Sequence, residues 1–168
     1  TVAAHFLLSI ILIAAATSLH SRRKGPAVKT QVAGRLNTYS KAHIMWTALV
    51  IALGTIVTAV GPHAGDRDVP RLDLRIPEVT RIHSLSVYIL ILFSIIYYKR
   101  KEITALTKRR LRIFFAISLA QGVLGYIQYF LGVPELLVGF HILGSTLVWI
   151  AAWRIWLSIQ FKAKEMAL

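Results

Sequence analysis

The chain contains no cysteine. That excludes disulfides, thiolate metal sites, iron–sulfur clusters and covalent c-type haem attachment. Acidic residues are scarce: seven Asp and Glu against 20 Lys and Arg, for a net charge of +13. None of the seven lies inside an apolar run, whereas a proton-driven transporter is expected to keep a carboxylate there. Transport is therefore a poor fit. There is also no nucleophile–base pair, P-loop or dinucleotide fingerprint. No basic n-region precedes the first apolar run, which begins almost at Thr1. The run is therefore not expected to be a signal peptide, and the chain reads as a piece of a longer polypeptide or one whose start was not observed.

Apolar length is abundant. Hydrophobic residues make up 56% of the 168, and mean hydropathy is +0.62. Five continuous runs approach the roughly 20 residues that a bilayer requires: about 2–19, 43–61, 81–98, 112–131 and 136–157. Only helices or closed barrels satisfy backbone polar groups in lipid, and continuous rather than alternating runs indicate helices. The expected fold is all-α and multi-pass, with five spans in contact with the lipid bilayer.

The basic residues sit mainly between spans. Arg22, Arg23, Lys24, Lys29, Arg35 and Lys41 separate the first two. Lys99, Arg100, Lys101, Lys108, Arg109, Arg110 and Arg112, against Glu102 alone, separate the third and fourth. Lys162 and Lys164 follow the fifth. The positive-inside rule makes these segments cytoplasmic and the N-terminus external. The same distribution explains the net charge without nucleic acid, since no basic face with interleaved aromatics occurs.

Three histidines recur at one depth, near the outer end of a span: His5 in VAAHFLLS, His83 in RIHSLSVY and His141 in LLVGFHILGS. An ionisable side chain at a helix centre costs about 2.5 kcal/mol or more, so membrane proteins rarely keep one without a use. Neutral imidazole is a standard axial ligand of haem iron, and a helix bundle can clamp a flat macrocycle between two of them. In an up-down bundle of the last four spans, the third and fifth lie on a diagonal. His83 and His141 would then face each other as ligands of one b-type haem. The competing reading makes each a buried histidine bonded to a neighbouring helix. His5 is left on a span without a partner. The first and fifth spans also share a weak repeat, with His fourth and Ser eighth in V-A-A-H-F-L-L-S and V-G-F-H-I-L-G-S.

Small and polar residues accompany these histidines. Gly54, Thr55, Thr58, Gly122 and Gly125 would admit either a porphyrin or an ordinary close helix contact. Gln121 and Gln128 share a face, to bond a macrocycle edge or to tie helices. Gly61-Pro62 ends the second span. Beyond it come His63, Arg67, Arg71, Arg75 and Arg81, whose guanidinium forks suit haem propionates or local ion pairs. His20 and His43 read as interfacial and receive no role.

The segments GTIVTAVGPHAGD (54–66), RIHSLSVYIL (81–90) and QGVLGYIQYFLGVPELLVGFHILGS (121–145) resemble the haem A synthase family, in its actinobacterial flavour. The resemblance covers essentially the whole chain. It implies two similar four-helix bundles that convert haem O to haem A by oxidising a ring methyl to a formyl group. On that pattern, residues 43–160 form the haem b bundle, with His83 and His141 on the iron. Residues 1–20 are the last helix of the N-terminal bundle, and His5 is a ligand on the substrate-haem side. A basic cytoplasmic loop (21–42) joins the two, and 161–168 is a cytoplasmic tail. The resemblance further implies a bacterial plasma membrane, an unidentified electron donor, and haem O synthase and cytochrome oxidase assembly proteins as partners. It departs from the family in lacking the first three helices, and with them a histidine, a glutamate and a loop cysteine pair. The alternatives are an electron-transfer cytochrome b subunit and a haem-free membrane assembly subunit.

Overall fold

The computed structural model describes residues 2–23, 27–29, 34–62 and 72–163. Five helices account for most of them: α1 (Val2–Arg22), α2 (Gly34–Val60), α3 (Ile76–Tyr98), α4 (Ala105–Phe130) and α5 (Glu135–Gln160). All five are long and apolar enough to cross a membrane. The protein is a multi-pass helical membrane protein.

The helices outrun the apolar stretches that define the spans. α2 begins at Gly34, so Arg35 and Lys41 are helical rather than in a loop. α4 begins at Ala105, which makes Lys108, Arg109, Arg110 and Arg112 helical as well. Hydrophobicity marks where lipid ends, whereas backbone hydrogen bonding continues as long as no breaker intervenes. At α4 the stop is a cap: the Thr104 hydroxyl accepts the Thr107 N–H at 3.1 Å. At α3 it is Pro77, whose fixed φ suits a first turn. His83 consequently lies two turns inside α3.

The turn between α4 and α5 is tight and strained. Gly132 has φ 75° and Val133 φ 62°. The Val133 N–H donates to the Gln128 carbonyl at 2.7 Å, closing the end of α4. A β-branched residue in this left-handed region is an outlier that costs roughly 1–3 kcal/mol.

α2 packs against both α3 and α5, α4 packs closely on α5, and α3 meets α4 only thinly. This ring places α3 and α5 on a diagonal. α1 docks outside it, against α5 and α2. Ile10 and Ala14 are buried there, and the Trp149 indole donates to the Ile10 carbonyl at 2.8 Å. A short antiparallel pairing of Ala27–Lys29 with Phe161–Ala163 was not expected from the apolar pattern. It ties the α1–α2 connection to the end of α5. Gln160 donates to Asn37 at 3.1 Å and Thr107 meets Ser158 at 3.0 Å, so the basic segments gather at one end of the molecule.

Candidate functional site

Two imidazoles face the interior from the diagonal helices. His83 rises from α3 and presses on Gly54 of α2, where a Cβ would stand 3.1 Å from its Cε1. His141 rises from α5 and presses on Gly125 of α4, where the equivalent distance is 3.3 Å. Each ring thus occupies a notch that exists because the opposing residue has no side chain.

Both Nδ1 atoms are buried and have no hydrogen-bond partner. The Val50 backbone carbonyl engages the His83 ring. A buried nitrogen left unclaimed is what a metal-ligating imidazole needs. A buried polar atom without a partner is costly, so a pair of them calls for an explanation.

Two carboxamides extend the pattern. Gln121 and Gln128 flank Gly125 on α4, and the Oε1 of each is buried and unpaired. The Gln121 carboxamide lies so close to Gly144 of α5 that a Cβ there would collide with it. Gly122, by contrast, has open space where a Cβ would stand and supports no close approach. Four orphaned polar atoms therefore share the half of the bundle remote from the basic segments.

No protein-family model, curated protein or solved structure matches this chain. Its chemistry must be argued from its own residues. Among the described residues no group of three or more His, Asp or Glu side chains converges on one point. A haem iron takes its equatorial ligands from the porphyrin and needs only an axial pair. Imidazoles on diagonal helices, with unclaimed nitrogens and seated against glycines, are of the type that demand calls for.

The other histidines behave differently. His5 is exposed on α1 and is not brought to the His83–His141 pair. His63, Arg67 and Arg71 lie outside the described residues. Arg75 is exposed and pairs with Glu78 at 2.8 Å, and Arg81 is exposed. His43, read as interfacial from the sequence, is 1% exposed. Its Nε2 meets the Ser94 hydroxyl at 3.0 Å and its ring packs edge-on against Phe114 at 4.7 Å. A legible sign was its spacing. Ser40, His43, Thr47, Val50 and Gly54 recur three and four apart, along the α2 face that also meets His83.

Proposed function

We propose that this chain binds one b-type haem, with His83 and His141 as its axial ligands, and works in electron transfer within a membrane. The observation that carries this reading is the pair of buried, unclaimed Nδ1 atoms on diagonal helices. When bound, the haem would supply one-electron redox chemistry. The protein's own part is to hold two neutral imidazoles in a dry interior, orient His83 through the Val50 carbonyl, and keep Gly54 and Gly125 free of side chains.

The test is an absorption spectrum of the purified chain after reduction. Sharp low-spin bands are expected, and their loss in both His83→Ala and His141→Ala. Bands that survive in both variants would refute His83 and His141 as the ligands; bands that never appear in the parent would count for a haem-free assembly subunit.

A fuller reading rests on the G-P-H-A-G-D and Q-Y-x-x-G-x-P-E-L-L-V-x-x-H runs. They support a haem A synthase, in which the bundle would relay electrons while haem O is oxidised to haem A. His5 would serve the substrate haem. The same resemblance supports a bacterial plasma membrane, and the distribution of lysine and arginine supports a cytoplasmic basic end. Product analysis separates the two readings: haem O and a reductant yield haem A in a synthase and remain unchanged in an electron carrier.

A further inference from the structure

The wall between α3 and α4 differs from the rest of the ring. These helices are consecutive and joined by a short connection, yet they pack far less closely than α2 on α3 or α4 on α5. At the basic end the wall is pinned. Tyr98 meets Phe115 edge-on at 6.4 Å, and the Lys108 ammonium lies 5.9 Å from the Tyr98 ring centre. Toward the histidine end, the Tyr88 hydroxyl of α3 bonds the Tyr126 hydroxyl of α4.

These tyrosines are 52% and 49% exposed, on the lipid side. A phenol facing hydrocarbon has no water to bond, so each hydroxyl takes the other as partner. Behind them lies the polar interior. Tyr126 adjoins Gly125, the seat of His141, and lies between Gln121 and Gln128 on α4. Tyr88 is just over one turn beyond His83. Along α3 and α4 themselves, the two tyrosines lie within two turns of His83, Gln121, Gln128 and the seat of His141.

We propose that the α3–α4 seam is the face through which a planar macrocycle passes sideways from the bilayer into the bundle, clasped by the Tyr88–Tyr126 hydroxyl pair. The identity of the ligand rests on the haem reading; the seam does not. A large flat amphiphile already dissolved in lipid needs a slot rather than a round pore. The pinned basic end and clasped histidine end let α3 and α4 part at one end only.

Because the chain has no cysteine, introduced thiols report alone. Tyr88→Cys/Tyr126→Cys protein, purified as the full chain without haem, is bridged with a short bis-maleimide before haemin is added. Bridged protein should develop the low-spin spectrum far more slowly than unbridged double variant, while single variants given the reagent, which cannot be bridged, should load as fast as the unbridged double variant. Equal rates with and without the bridge overturn the proposal. A second measurement needs no haem. Gln128→Cys is labelled by a lipid-soluble maleimide in vesicles, with and without Tyr88→Phe. Loss of one hydrogen bond should speed labelling roughly fivefold, and unchanged labelling overturns the clasp. Protein that takes up no haem in any sample refutes the haem reading alone, and the labelling then decides the seam.

Discussion

Replacing His43 by alanine removes a hydrogen bond to Ser94 and the edge contact with Phe114, and leaves a cavity beside buried Tyr97. The loss should be about 3 kcal/mol, read by thermal unfolding in detergent. His43→Phe should cost less, because it refills the cavity and Ser94 still donates to the Leu90 carbonyl at 2.7 Å. Equal losses would show that the imidazole has a polar role the packing does not supply. Gly54 and Gly125 test the opposite principle. Alanine at either forces the facing imidazole back by a few tenths of an ångström, whereas leucine fills the notch. Haem content should fall partly with alanine and almost wholly with leucine, measured as the haem-to-protein ratio. A Gly125→Leu protein that folds and keeps full haem would remove the notch from the site.

At the scale of elements, α1 shows how a helix can be held without being part of a ring. Trp149 donates to the Ile10 carbonyl, and Trp153 donates to the Ser18 hydroxyl at 2.8 Å. Hydrogen bonds between membrane helices average well under 2 kcal/mol each. Trp149→Phe/Trp153→Phe should therefore loosen α1 by about 1 kcal/mol in all while sparing the His83–His141 bundle. Proteolysis of the α1–α2 connection would rise while the haem spectrum stays unchanged. The α4–α5 turn makes a contrasting case. Val133 holds a left-handed φ of 62° that glycine adopts freely. Val133→Gly should raise stability by about 1 kcal/mol, seen as a higher unfolding temperature. A lower temperature would mean that the valine side chain makes a contact worth more than its backbone strain.

For the molecule as a whole, a ligand that binds only the folded bundle must stabilise it. Haem at a hundredfold excess over Kd should add about 2.7 kcal/mol. The gain should vanish in His83→Ala and persist in His5→Ala, since His5 is exposed on α1 and apart from the pair. A gain lost with His5→Ala would place the ligand elsewhere. The +13 charge acts at this scale too. Its basic segments gather at one end because α1–α2, α3–α4 and the end of α5 alternate with the other connections.

Five spans were legible in the chain because lipid imposes one rule on every spanning segment: apolar side chains outside, backbone bonds within. That His83 and His141 each lie within about two turns of the start of a spanning helix followed from the same runs. The helix ends beyond the apolar stretches did not, since capping and proline rather than hydropathy set them. The burial of His43 and the strand pairing of Ala27–Lys29 came only from tertiary contacts. So did the seating of each imidazole on a glycine of the next helix, and the tyrosine pair across α3 and α4. A sequence states which residues lie at one depth. Which of them meet depends on helix rotation and neighbour choice, and packing decides those.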